Sequence, residues 1–220
     1  WEGSKISLYS AGEESIASMP NIKVGKFITQ VILQNIEVED IDLSNATDLR
    51  SAWVQNNPAL QKLDLSHSTI WGQGDKETEG NGTYGSSLMV LGCPILKEIK
   101  LPEKNELKAY RIDIECLDAL ETFDMSNVKM VAELSIGDLN KDFNLVYPEL
   151  TIFYSEDGYA GTYFACSENT FYRESTQAFL KANYTDIDPD DTVRRLGYTS
   201  SLSYDKNKGC RWRTLLNKQK

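Results

Sequence analysis

The chain has 220 residues, of which 40% are hydrophobic and 25% are charged, and these proportions exclude a wholly disordered protein. No apolar run approaches the roughly 18 residues that a membrane-spanning helix needs, so we expect no transmembrane segment. The 33 acidic residues outnumber the 23 basic residues and give a net charge of -10. We therefore expect no nucleic-acid partner, because binding to phosphates depends on lysine and arginine.

Residues 1–27 alternate apolar and polar side chains at Lys5–Tyr9, and apolar residues flank a lysine again at Ile22–Val24. Alternation with a period of two predicts short strands, which we expect to form an N-terminal cap over the region that follows. The chain begins at Trp1 and not at a methionine, as a processed, exported protein does. We expect an extracellular or cell-surface location.

A repeated pattern occupies residues 28–154: an apolar residue, two variable residues, an apolar residue, one variable residue and a last apolar residue. The central residues of successive copies, at positions 41, 63, 99, 123 and 153, step by 22, 36, 24 and 30. A strand with one apolar face cannot bury that face alone, so such copies predict parallel strands stacked over a shared core. The central residues are Ile41, Leu63, Ile99, Phe123 and, in a degenerate fifth copy, Phe153.

A second apolar pair follows the copies at about half a period. Ile99 is followed 11 positions later by Tyr110, and Phe123 is followed 11 positions later by Leu134. This echo predicts two rows of strands on opposite sides of the core.

Residues 72–86 hold five of the 14 glycines and account for the step of 36. This composition predicts a surface loop inserted into one repeat. The alternating acids Asp75, Glu77 and Glu79 bear a slight resemblance to a calcium-binding loop, but Ser86 stands where such a loop needs a glutamate. We expect no metal and no cofactor.

The pattern resembles the leucine-rich repeat, whose consensus is Leu-x-x-Leu-x-Leu-x-x-Asn/Cys. Leu96–Leu101 is followed by Pro102, by Cys116 and by the next copy at Leu120, and this order resembles a narrower subclass, the BspA-like repeats of bacterial and protozoan surface proteins. The resemblance implies an irregular right-handed solenoid of the α/β kind, rich in β-structure. It also implies that Cys93 and Cys116 are buried thiols at equivalent repeat positions.

Residues 155–220 lose the repeat and predict a small α+β C-terminal cap. Asp157-Gly158 lies between two apolar runs and predicts a β-hairpin. The segments 174–182 and 188–196 predict helices, and alternation on both sides of a polar turn predicts a second hairpin over 202–216.

The four cysteines form no Cys-x-x-Cys pair, which argues against a zinc site or a thioredoxin-like site. For Cys166 and Cys210 two alternatives stay open, a disulfide between them or buried free thiols.

One variable residue of each copy is expected to face outward from its strand. Equivalent outward positions lie about 5 Å apart on stacked strands, so we expect Asp42 and Asp64 to be like-charged neighbours. Lys100 is expected between Asp64 and Asp124, where its positive charge offsets the repulsion. Two interpretations stay open: an acidic ligand face for a basic or hydroxyl-rich partner, and a solvated ladder of charges. The predicted outward residues are Asp42, Ser44, Asp64, Ser66, Lys100, Asp124 and Ser126.

The sequence has no nucleophile elbow, P-loop, dinucleotide fingerprint or metalloprotease motif. Its one histidine, His67, takes a turn position of its repeat. We therefore expect a non-enzymatic binding module, a monomer that binds a protein partner, either a host protein or a surface protein, at a bacterial cell surface. The alternatives are a carboxylate-based hydrolase seated in the C-terminal part and a glycan-binding module that uses exposed aromatic residues. Those aromatic residues are Trp71, Tyr84 and Trp212.

Overall fold

A computed structural model describes most of the chain, and the described residues form a β-rich fold with a large parallel sheet and the helix α1 (Glu174–Asn183). Strands are numbered β1 to β19 in chain order. No helix of the described part is long and apolar enough to cross a bilayer. The described residues are 4–10, 16–72, 86–104, 106–140, 142–150, 155–156, 159–160, 163–167, 170, 172–183, 199–205 and 209–215.

The large sheet, called the wide sheet below, has seven strands, and each strand pairs in parallel with the strands before and after it in the sheet order. In spatial order the strands are β1 (Ser4–Tyr9), β4 (Ile28–Gln34), β7 (Ser51–Gln55), β9 (Ser87–Leu91), β11 (Leu107–Leu117), β13 (Val128–Leu139) and β17 (Tyr163–Cys166).

Equivalent residues of the wide sheet form columns that run across all its strands. One column contains only buried apolar residues from β4 onward, and each is at most 2% exposed. Successive residues point to opposite faces, so these residues define the core side of the sheet. The column is Ile6, Val31, Ala52, Leu88, Ile112, Leu134 and Phe164.

A second row consists of short strands, which contribute to the same continuous core. They form parallel pairs: β2 with β5, β3 with β6, β8 with β10, and β12 with β14. Their bounds are β2 (Ala17–Ser18), β3 (Ile22–Lys23), β5 (Ile36–Glu37), β6 (Ile41–Asp42), β8 (Lys62–Asp64), β10 (Glu98–Lys100), β12 (Thr122–Asp124) and β14 (Asn144–Val146).

The first four copies of the pattern were placed correctly, because their central residues all lie buried on these short strands. The fifth placement was wrong. The residue paired with Phe123 is Leu145, so the step from the fourth copy is 22. Phe153 lies outside the described residues.

The pattern also misjudged which segments build the main sheet. The consensus copies form strands of only two or three residues, whereas the wide sheet is built from the apolar segments half a period away. The physical reason is local. The carboxylates of Asp42, Asp64 and Asp124 each accept a hydrogen bond from the backbone N–H two residues later, and such a turn ends a strand.

The inserted segment leaves the sheet register undisturbed. Strands β7 and β9 pair directly across it, and the N–H of Gly72 donates to Oγ of Ser86 at 2.6 Å, which holds the two ends together. The intervening residues 73–85 lie outside the described part of the chain.

A residue with a left-handed backbone occupies the same register position in four wide-sheet strands, directly after the paired residues Gln34, Gln55, Leu91 and Glu115. These residues are Asn35, Asn56, Gly92 and Cys116, with φ between 53° and 63°. Nδ2 of Asn56 donates to Oδ1 of Asn35 at 2.8 Å, so the first two turns are also joined through their side chains. The expected equivalence of Cys93 and Cys116 is therefore wrong by one residue, because Gly92 and Cys116 share the left-handed position. Both thiols are buried and neither forms a disulfide, as expected.

The C-terminal segment contributes to the wide sheet, since β17 lies beyond the boundary predicted at residue 154. The two predicted hairpins are confirmed as β15 (Ser155–Glu156) with β16 (Tyr159–Ala160), and β18 (Thr199–Asp205) with β19 (Gly209–Leu215). The helix predicted at 174–182 is confirmed as α1, whereas the helix predicted at 188–196 lies outside the described residues.

Helix α1 packs against the last strands through aromatic rings. Phe179 stacks on Tyr147 with ring centroids 4.5 Å apart and lies 5.5 Å from Phe164 of β17. The hydroxyl of Tyr147 also lies 2.9 Å from Oγ1 of Thr176. Cys166 is a buried free thiol, and the side chain of Cys210 lies outside the described part of the chain.

Candidate functional site

The predicted outward residues lie on one surface, called the short-strand face: the solvent-facing residues of β3, β6, β8, β10 and β12 and the turns that follow them. The register places Asp64 beside Lys100, as predicted, and Lys23 beside Asp42. All seven predicted residues are partly or fully exposed; they are Asp42, Ser44, Asp64, Ser66, Lys100, Asp124 and Ser126.

Each aspartate of the short-strand face is held by the serine two positions later. The N–H groups of Ser44, Ser66 and Ser126 donate to the aspartate Oδ1 atoms at 2.9, 3.0 and 2.8 Å, respectively. The hydroxyl of Ser66 adds a second bond to Asp64 at 2.5 Å. The carboxylates therefore have fixed orientations before any partner arrives.

Lysines alternate with acids along this face. Nζ of Lys62 lies 3.0 Å from Oδ2 of Asp64 and 3.4 Å from Oε2 of Glu98, while Nζ of Lys100 lies 3.2 Å from Oε1 of Glu98. Lys23 pairs with Asp42 at 3.1 Å. Lys100 thus lies beside Asp64 in register but pairs with Glu98. Sequence reasoning missed Lys62 and Glu98, although their place one residue before an inward apolar residue marks them as outward.

These contacts keep Asp42 and Asp64 ionised. The Ser44 hydroxyl and N–H, with the Lys23 ammonium, lower the pKa of Asp42 to about 2. Partial burial raises the pKa of Asp64, but its bonds with Ser66 and Lys62 outweigh burial and bring that pKa to about 2. The same ion pair raises the pKa of Lys62.

A second polar cluster lies on the side of the wide sheet that faces away from the core. Arg111 of β11 contacts Oδ2 of Asp113 at 2.8 Å and Oε2 of Glu133 at 3.5 Å. The hydroxyl of Ser135 donates to Oε1 of Glu115 at 2.5 Å. We call Arg111, Asp113, Glu115, Glu133 and Ser135 the carboxyl cluster.

Two acids of the carboxyl cluster are completely buried. Asp113 and Glu115 are both 0% exposed, and Oδ1 of Asp113 and Oε2 of Glu115 have no hydrogen-bond partner among the described residues. Burial raises the pKa of both, and together with the charge of Asp113 it raises that of Glu115 to about 9. Ionised acids are almost never buried without partners, so this cluster is unusual.

Sequence reasoning missed the carboxyl cluster because Arg-Ile-Asp-Ile-Glu alternates like an ordinary strand with one solvated face. The available signal was Gly137, which the register places directly opposite Glu115. A glycine inside a strand marks a close approach of a neighbouring group.

The other residues that the sequence singled out, His67, Trp71 and the cysteines, have structural positions. His67 is exposed in the turn after β8, and Trp71 is 0% exposed, which removes it from the set of exposed aromatic residues. Burial raises the pKa of the Cys93 and Cys166 thiols to about 12, so neither is a reactive thiolate. In the described ranges no group of three His, Cys, Asp or Glu side chains is arranged to hold a metal ion.

Comparison with known proteins found no matching family model, no similar curated protein and no similar solved structure.

Proposed function

We propose that this protein is a non-enzymatic binding module, an irregular right-handed solenoid of the leucine-rich-repeat type with a small α+β C-terminal cap. Its partner is a protein, and the short-strand face is the binding surface. In this proposal the molecule is exported and acts as a monomer at a bacterial cell surface.

The observation that carries the proposal is the fixed geometry of the aspartates. Asp42, Asp64 and Asp124 are each held by a backbone N–H, so they lose little conformational freedom when a partner binds, and lost freedom is one of the main costs of association. The short strands that carry Asp64 and Lys100 are hydrogen-bonded neighbours, which supports a rigid surface.

The charge pattern favours one kind of partner. Acids and lysines alternate along the face within 3.0–3.4 Å of each other, so a partner with evenly spaced charges of both signs matches it better than a uniformly basic one. Because these ion pairs are exposed and each contributes little to stability, a partner can exchange them for its own.

The test is a quantitative pull-down with the native protein and with a triple variant, Asp42→Asn, Asp64→Asn and Asp124→Asn. Asparagine keeps the oxygen that accepts the backbone hydrogen bond and removes the charge, so the turns persist. Glu149→Gln is the matched control, since it removes an exposed charge from the Lys129–Glu149 pair outside the face.

We expect a partner that the native protein and the Glu149→Gln variant retain, and that the folded triple variant binds about tenfold more weakly or worse. Equal retention by the triple variant would show that the short-strand face is not the binding surface. Binding to a glycan array in place of protein would support the glycan alternative, whose candidate Trp71 is buried.

A further inference from the structure

The carboxyl cluster contains more acid than its cation can neutralise. Arg111 serves both Asp113 and Glu133, and it leaves Glu115 with only the hydroxyl of Ser135. Glu133 is partly exposed and can be solvated, but Asp113 and Glu115 cannot, because both are 0% exposed. Among the described side chains, two ionised carboxylates in that position would lack both water and a second cation.

One proton resolves this deficit. The side chains of Asp113 and Glu115 are within hydrogen-bonding reach of each other, and each has one oxygen without a partner, Oδ1 and Oε2 respectively. With a proton on Oε2, Glu115 donates to Oδ1 of Asp113, and a single O–H···O bond satisfies both atoms. Bonds of this kind between a carboxyl and a carboxylate are short and strong.

The neighbours of the pair provide no alternative cation among the described side chains. Across from Asp113 and Glu115, strand β9 places Met89 and Leu91, and strand β13 places Ser135 and Gly137. Besides the two acids themselves, the groups that shift the pKa values of the pair are Arg111, Glu133, the Ser135 hydroxyl and the Cys116 thiol.

The last hairpin lies against the strands that carry the pair and its neighbours. Strand β18 contacts β11, β13 and β17, the strands that carry and flank the carboxyl cluster. In sequence the hairpin contributes Tyr204, Asp205, Cys210, Arg211 and Arg213.

We propose that Asp113 and Glu115 share one proton at neutral pH, and that this proton keeps the hairpin β18–β19 seated on the wide sheet, so that the hairpin is released as the pH rises. On release the O–H bond of Glu115 breaks, its electron pair stays on Oε2, and the proton passes to hydroxide. The second buried charge is then solvated most directly by lifting the hairpin. This inference is independent of the short-strand face.

The shared proton is tested by infrared spectroscopy at pH 7. A protonated carboxyl has a carbonyl stretch that a carboxylate lacks, so we expect one such band in the native protein and none after Glu115→Gln. Glu133→Gln is the control, because it removes an acid of the same cluster and leaves the band. The absence of the band from the native protein would overturn the proposal without recourse to any variant.

Release of the hairpin is tested by hydrogen exchange of residues 199–215 between pH 6 and pH 10, corrected for the intrinsic rate. We expect the opening equilibrium to rise by up to about tenfold per pH unit while the closed state still holds the proton, and to level off once the closed state has lost it. The amides of β9 and β11 should stay protected throughout. In Glu115→Gln, where the side-chain amide donates to Asp113 and carries no charge, this pH dependence disappears; Glu133→Gln keeps it. The same pH profile in the native protein and in Glu115→Gln would overturn the link between the proton and the hairpin.

Discussion

Gly137 lies directly opposite Glu115, and a Cβ atom at residue 137 would lie 3.2 Å from both Cγ and Cδ of that glutamate. The glycine therefore provides the space that the buried carboxyl occupies. Because Glu115 is fixed by Ser135 and is completely buried, it has little room to give way.

Gly137→Ala is expected to lower the free energy of unfolding by about 1–3 kcal/mol, the usual cost of overpacking a buried site. Urea denaturation at pH 6 measures it. Gly25→Ala is the control, because a Cβ at that position meets no atom within 4 Å. Equal stability of the two variants would mean that Glu115 moves freely.

The stability of the native protein is expected to fall as the pH rises from about 4.5 to about 9. Burial and the charge of Asp113 raise the pKa of Glu115 from 4.5 to about 9, so in that window the folded state binds the proton that the unfolded state has lost. The slope for this one group is at most about 1.4 kcal/mol per pH unit. Denaturation of the native protein and of Glu115→Gln at pH 5, 7 and 9 tests this, and the variant should lack the slope.

The opposite pH dependence of stability is expected from Asp64. Its pKa is lowered from 3.8 to about 2, so its contribution is complete above pH 3.8 and is lost as the pH falls through 2. We expect Asp64→Ala to cost about 1 kcal/mol at pH 7, since it removes the acceptor for Ser66. Asp64→Asn should cost less and should flatten the acid limb of the thermal stability curve. Identical acid limbs for the native protein and Asp64→Asn would contradict this account.

Phe179→Ala is expected to lower the free energy of unfolding by about 3–5 kcal/mol, because Phe179 is 5% exposed and contacts the rings of Tyr147 and Phe164. Phe27→Ala should change it by less than about 0.5 kcal/mol, since that ring is 73% exposed. Thermal unfolding of the two variants provides the comparison. A small effect at residue 179 would mean that α1 packs only loosely on the sheet.

The sequence predicted where strands occur better than which strands dominate. The period of the apolar residues located Ile41, Leu63, Ile99 and Phe123 on inward positions, because burial of one face imposes that alternation. It predicted these strands as short, but it could not show that the segments half a period away form the longer strands of the main sheet. Hydrogen bonds from Ser44, Ser66 and Ser126 to the preceding aspartates end three of the short strands.

The two candidate sites differ in how far the sequence predicts them. Outward residues of the short-strand face follow from alternation alone. In the carboxyl cluster, the alternation at Arg111, Asp113 and Glu115 is the pattern of a solvated strand, yet both acids are buried. Strand β18, nearly 90 residues later in the chain, lies against β11, and alternation within one strand cannot predict such a long-range contact.

The order of the wide sheet has a mechanical consequence. Each strand is hydrogen-bonded to its neighbours in the sheet, and the strands follow one another across the sheet in chain order. A molecule pulled from its N-terminal end therefore yields one strand at a time, and each event frees the chain between neighbouring strands, for example 21 residues from Val31 to Ala52 and 36 from Ala52 to Leu88. The hairpin interrupts this series, because β18 contacts β11, β13 and β17 together, and those three strands resist the load as one unit.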